Sequence, residues 1–197
     1  GVDDISLPDP LIWLSYVASR TASIKLATGI MILPQHNPIV AAKQIATLDY
    51  LSGGRVILGV GVGWLREEFD TLGVPFMERG KRMDEYILAM KELWASDLPA
   101  YDGDFVKFSS VYCKPQPKNG SVPIIIGGHS KASANRAGRL GDGFFPARGV
   151  PLELIRLARQ SAEECGRDPN LLEITASLPD NLDLIPDLVS AGVKRLL

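Results

Sequence analysis

Residues 55–69, RVILGVGVGWLREEF, begin as an unbroken apolar run and then place glycine at positions 59, 61 and 63. The aliphatic start is that of a strand buried on both faces, as in a parallel sheet. Glycine at every second position then strips one face of that strand of side chains, and each such residue costs backbone entropy. The repeat therefore points to something lying close against the bare face. Beyond it, Glu67 and Glu68 sit where acidic side chains favour the positive end of a short helix.

Around this stretch apolar segments alternate with amphipathic helical ones, which predicts a parallel sheet with helical crossovers. Residues 12–18 read as a helix and 24–33 as a strand. Asn37 is a good N-cap with Pro38 at the first helical position, and Ile39, Ala42, Ile45 and Leu48 recur at helical spacing until Gly53-Gly54. Residues 78–94 form a second long helix with Met83, Ile87, Met90 and Leu93 as its inward stripe. The segment at about 98–117, rich in Gly, Pro and Asp and carrying Tyr101, Phe105 and Phe108, breaks the rhythm and reads as an inserted hairpin. A strand over 122–126 then leads through Gly127-Gly128-His129-Ser130 into a helix ending near Gly141, followed by a short strand at Phe144-Phe145. A helix over 152–165, a strand over 172–178, a helix over 182–190 and a strand from 193 complete a single domain, 1–197. This succession fits a barrel or an open doubly wound sheet. It starts on a helix and stops on a strand, so it reads as part of a longer chain.

The 21 basic and 23 acidic side chains nearly cancel, so no field draws the protein to nucleic acid or to a membrane, and neither partner is expected. Cys113 and Cys165 stand far apart without metal-ligand spacing, which predicts reduced thiols and no metal site. No apolar run approaches the roughly 20 residues that span a bilayer, and the first residues carry no signal segment. The expected localisation is cytoplasmic.

Three places join strand ends to residues suited to close approach. Thr28-Gly29-Ile30 puts a glycine inside an apolar strand, the mark of a bulge or a nearby ligand. Gly59, Gly61 and Gly63 follow on the next strand, and Gly127-Gly128-His129-Ser130 is a strand-to-helix turn whose amides suit a phosphate. On the carboxyl rim of an α/β barrel the three form one site, the glycines facing a flat ring and the turn facing the phosphate of a nucleotide-like cofactor. Trp64 is a candidate to stack on that ring, with core packing as its alternative. His129 is either a phosphate donor or a plain loop residue. No catalytic residue is assigned, and His36 and Glu68 stand as the candidates. Arg79, Lys81 and Arg82 read as a solvated helix face, with contact to a cofactor tail as the alternative.

The blocks IKLATGIMILPQHNPIVAAKQIATLDYLSGGRVILGVGVGWLREEF (24–69) and PIIIGGHSKASANRAGRLGDGFFP (123–146) resemble the luciferase-like monooxygenase superfamily. Within it they look most like oxidoreductases that use coenzyme F420, an 8-hydroxy-5-deazaflavin. The resemblance implies an α/β fold, the (β/α)8 TIM barrel of bacterial luciferase type, here without its first strands and last helices. It also implies a non-prolyl cis peptide at Gly29-Ile30. Thr28, Gly29, Ile30, Gly61, Gly63 and Trp64 would then lie about the ring, and Gly127, Gly128, His129 and Ser130 about the phosphate. Relatives that use flavin mononucleotide (FMN) carry a phosphate-binding arginine in the loop matching Val62, and valine binds no anion, which favours F420 over FMN. The implied activity is hydride transfer between F420 and a small organic substrate, in a homodimer. The alternatives are an FMN-dependent monooxygenase and a non-catalytic flavin-binding or dimer-forming relative. The proton-handling residues of the family follow strands that this sequence lacks, so none is carried over.

Overall fold

The computed structural model describes residues 7–197. Helix α1 (Pro10–Arg20) starts on Asp9, whose Oδ1 accepts from the amides of Leu11 and Ile12 at 3.0 and 2.9 Å. The chain then enters the sheet in two short pieces, β1 (Leu26–Ala27) and β2 (Met31–Ile32), both parallel to β3 (Val56–Gly61). The single strand expected over 24–33 is thus divided, and the register gives the reason. Ala27 pairs with Ile57 and Met31 with Val60, so Thr28-Gly29-Ile30 oppose only Leu58 and Gly59. One residue is in excess, and the strand buckles there as a bulge. The Gly29-Ile30 peptide within it is cis, as the resemblance implies.

Helix α2 (Pro38–Ser52) is bounded as its sequence dictates. Asn37 Oδ1 accepts from the amides of Ile39 and Val40 at 3.0 and 3.2 Å, and Gly53 closes the helix in the left-handed region at φ +77°. After β3 come a short helix α3 (Arg66–Thr71) and the long α4 (Arg79–Ala95). The stripe of Met83, Ile87, Met90 and Leu93 is fully buried, and Trp94 Nε1 donates to Ala42 O at 3.0 Å, tying α4 to α2. The expected hairpin is present as antiparallel β4 (Tyr101–Asp102) and β5 (Lys107–Phe108). Its turn hangs on Glu85 of α4, whose carboxylate accepts from the amides of Asp104, Phe105 and Val106.

The sheet continues through β6 (Ile124–Gly128), helix α5 (Lys131–Leu140), β7 (Gly143–Pro146), helix α6 (Leu152–Glu164) and β8 (Glu173–Ala176). Helix α7 (Ile185–Ser190) and β9 (Val193–Leu196) follow. The helix expected over 182–190 opens instead as a 3-10 turn, because Pro186 in its first turn brings no N–H and restrains Ile185 before it. All pairings in the seven-stranded sheet are parallel, in the order β1-β3-β6-β7-β8-β9 with β2 also on β3. The result is a curled α/β half-barrel, open among the described residues at β1 and at β9. Buried Arg55 braces the first edge, donating to the carbonyls of Ala18, Thr21, Ile24 and Ser52.

Candidate functional site

The glycines that open one face of β3 receive protein before they receive anything else. A Cβ at Gly59 would collide with the backbone oxygen of Thr28, and one at Gly61 with Ile30 Cδ1. On the neighbouring strand, a Cβ at Gly127 would stand 2.8 Å from Ile30 Cγ2. The bulge therefore presses its backbone onto Gly59 and lays the Ile30 side chain across Gly61 and Gly127. Thr28 secures it, its Oγ1 donating to Gly59 O at 2.7 Å. The bare face expected to meet a ring directly is covered by Ile30, whose outer side remains 37 % exposed.

Above this platform, at the carboxyl ends of β2, β3 and β6, lies a cavity of about 720 Å³, a size typical of small-molecule sites. Gly29 and Ile30 line it from the bulge, Gly61, Gly63 and Trp64 from the end of β3, and Gly127, Gly128, His129 and Ser130 from the turn after β6. Thr28 is the exception among the expected cofactor contacts. It is 5 % exposed, its hydroxyl is engaged, and it does not line the cavity, so it supports the wall without touching the contents. Trp64 is 82 % exposed at the mouth, which corrects the core-packing alternative.

The turn suits an anion. Ser130 caps α5 through a reciprocal box with Ser133: the Ser133 amide donates to Ser130 Oγ at 3.2 Å and the Ser130 amide to Ser133 Oγ at 3.0 Å. This fixes the first turn and leaves the Lys131 and Ala132 amides without an intrahelical acceptor. Gly128 adopts φ +145°, and a Cβ there would stand 2.7 Å from Ser133 Cβ, so only glycine lets strand and helix meet so closely. The fit to a phosphate-bearing ring rests on these amides and on the flat apolar surface of Ile30.

The two catalytic candidates stand elsewhere. After β2 a 3-10 turn (Leu33–Gln35) carries His36 away from the cavity and into a second one, of about 410 Å³, between α1 and α2. Asp9, Ile12, Met31 and Lys43 share that wall, and burial holds the His36 pKa below its usual value against a weaker opposing pull from Asp9. Glu68 is exposed on the outer side of α3 and accepts from Gln35 Nε2 at 2.9 Å. Among the described residues no group of three His, Cys, Asp or Glu side chains is placed to hold a metal ion, and no helix is long and apolar enough to cross a membrane.

Arg136, which the sequence did not single out, and Arg79, whose alternative reading was contact to a cofactor tail, both line the cavity. Arg79 was expected on a solvated helix face together with Lys81 and Arg82. Lys81 is exposed, whereas Arg79 is half-buried against Phe76, with its guanidinium carbon 3.7 Å from the ring centre. The signal that could have found it is its position at the first residue of α4, where the chain returns from β3 by way of α3.

The family profile described as luciferase-like monooxygenase matches residues 1–179. An uncharacterized protein of Mycobacterium tuberculosis is 35 % identical over 208 residues, covering 98 % of this chain and 73 % of its own length. The F420-dependent glucose-6-phosphate dehydrogenase of Mycolicibacterium fortuitum is 33 % identical, covering 95 % of this chain and 58 % of that protein. The FMNH(2)-dependent dimethylsulfone monooxygenase of Pseudomonas putida is 39 % identical over 133 residues, covering 65 % of this chain and 37 % of that protein. Among solved structures, an F420-dependent secondary alcohol dehydrogenase superposes with a TM-score of 0.78 at 25 % identity, covering 90 % of this chain. This chain spans 56 % of that one.

Proposed function

The chain belongs to the luciferase-like monooxygenase family, and from that premise we propose that its main cavity binds the deazaflavin coenzyme F420 in an oxidoreductase that exchanges hydride with a small organic substrate. One observation carries the reading: a bulged strand lays Ile30 across Gly61 and Gly127, beside a turn that presents helix-start amides. That wall offers a flat apolar support and an anion receptor side by side. A bound deazaflavin supplies the hydride chemistry, and the protein supplies orientation and exclusion of water. Ile30 would set the ring face, the turn at 127–130 would take the phosphate, and Trp64 at the mouth would screen the ring from solvent.

Val62 supports F420 over FMN, since the arginine that the resemblance implies for FMN users has no counterpart at that position. The F420-dependent relative also aligns over 95 % of this chain against 65 % for the FMNH(2)-dependent one. A second reading, an FMN-dependent monooxygenase, is supported by the higher identity of that shorter alignment. Fluorescence titration with oxidised F420 and with FMN separates the two. Saturable quenching of F420 with weak response to FMN is expected. Binding of FMN alone, with oxygen uptake once it is reduced, would replace the first reading with the second.

A further inference from the structure

The lining of the main cavity is divided by chemistry. Its polar groups stand toward α5, in the turn at 127–130, Ser133 and Arg136, with Arg79 at the border. The side chains from the strand ends and the loop after β3 are Ile30, Ile32, Val62, Trp64 and Met77. No carboxylate lines either half among the described residues. In the strand-end half the indole N–H of Trp64 is the one strong side-chain donor, and the backbone oxygen of Gly63 already accepts from Arg79 Nε at 3.2 Å. The apolar floor is continuous there. A Cβ on Gly63 would stand 2.8 Å from Ile32 Cγ2, so Ile32 lies over Gly63 much as Ile30 lies over Gly61.

The lip above that floor is apolar as well. Trp64 is 82 % and Met77 78 % exposed. One exposed apolar side chain is ordinary, but two large ones at the mouth of a single cavity form a patch that a ligand would cover. Met77 is held in place by its neighbour in a 3-10 turn (Phe76–Glu78): the Phe76 ring meets Phe69 edge-on with centres 5.4 Å apart, and carries the guanidinium groups of Arg66 and Arg79. Phe76 thus anchors the turn, and its neighbour Met77 stands at the mouth with an adaptable thioether side chain. A hydroxylated molecule placed against this half would surrender its water without gaining partners, whereas a hydrocarbon would bury both its own surface and the lip.

We infer that the strand-end half of the cavity, with Met77 as its outer wall, selects an uncharged, hydrocarbon-rich substrate and rejects polyhydroxylated ones; the inference rests on the cofactor reading above. Its test titrates the protein, in the presence of F420, with unbranched alcohols from butanol to octanol and with glycerol and sorbitol, by calorimetry. Affinity for the alcohols should rise about threefold per methylene, and the polyols should not bind. Methyl-edited NMR locates the alcohols: Met31, Met83 and Met90 are buried, so of the four methionine methyl signals that of Met77 should shift most. Met77→Gln, at an exposed position, should lower octanol affinity by about tenfold and flatten the rise with chain length. F420 affinity measured on the same samples reports whether the cavity is intact. With F420 bound, an affinity independent of chain length, a Met77 signal that stays in place, or polyols that bind as well as octanol would overturn the inference and leave the cofactor reading standing. Wild-type octanol affinity in Met77→Gln would overturn it too. A protein that binds neither F420 nor the alcohols would remove the cofactor reading and this inference together.

Discussion

The cavity over β3 and β6 and the one between α1 and α2 both adjoin the carboxyl end of the first strand, yet their walls are made of different things. The first is built largely from backbone: strand ends carrying Gly61 and Gly127 and the start of α5, with the side chains of Ile30, Arg79 and Arg136 beside them. The second is built from side chains of α1, of α2 and of the segment around β2, and the first amides of both helices are already taken, by Asp9 in α1 and by Asn37 in α2. Rim position alone therefore does not make a binding site. What separates the two is whether free backbone donors converge.

The comparison breaks most readily at Gly59. Its missing Cβ is replaced by a backbone oxygen of the bulge, which has nowhere to go. Gly59→Ala should cost about 3 kcal/mol in urea denaturation and abolish cofactor binding. Gly61→Ala meets only the far end of the Ile30 side chain and should cost about 1 kcal/mol, relieved when combined with Ile30→Val. Equal costs at the two glycines, with no rescue, would show that the bulge is not what they accommodate.

The smallest effect concerns the second cavity. Burial depresses the His36 pKa, so as pH falls the unfolded chain takes up the proton first. The stability held by neutral His36 is complete above its unfolded value and declines as pH drops below it. The wild type should therefore lose more melting temperature than His36→Asn between about pH 7.5 and about pH 5. Identical losses would place His36 in solvent.

The alternation of elements and the helix bounds at Asn37, Gly53 and Ser130 were legible because each depends on local backbone chemistry. Close approach was legible at Gly59, Gly61 and Gly127 for the same reason. What approaches them was not, since a bulge and a ligand demand the same absent Cβ, and only the register between Ala27 and Met31 reveals the extra residue. Thr28 was misplaced because its hydroxyl partner lies across the sheet on Gly59. His36 was misplaced because a 3-10 turn redirects it, and Arg79, read first as part of a solvated helix face with a cofactor-tail contact as the alternative, lies in the cavity wall against Phe76. For Thr28 and Arg79 the deciding partner lies on another element, and for His36 it is the turn just before it.

The central claim is that the cofactor lies on Ile30 and the turn at 127–130. Isotope-edited NMR of the wild type during F420 titration tests it most directly. Chemical-shift changes should centre on the Ile30 methyl groups and on the amides of His129, Ser130 and Lys131. Changes centred instead on His36 and Lys43 would contradict the account.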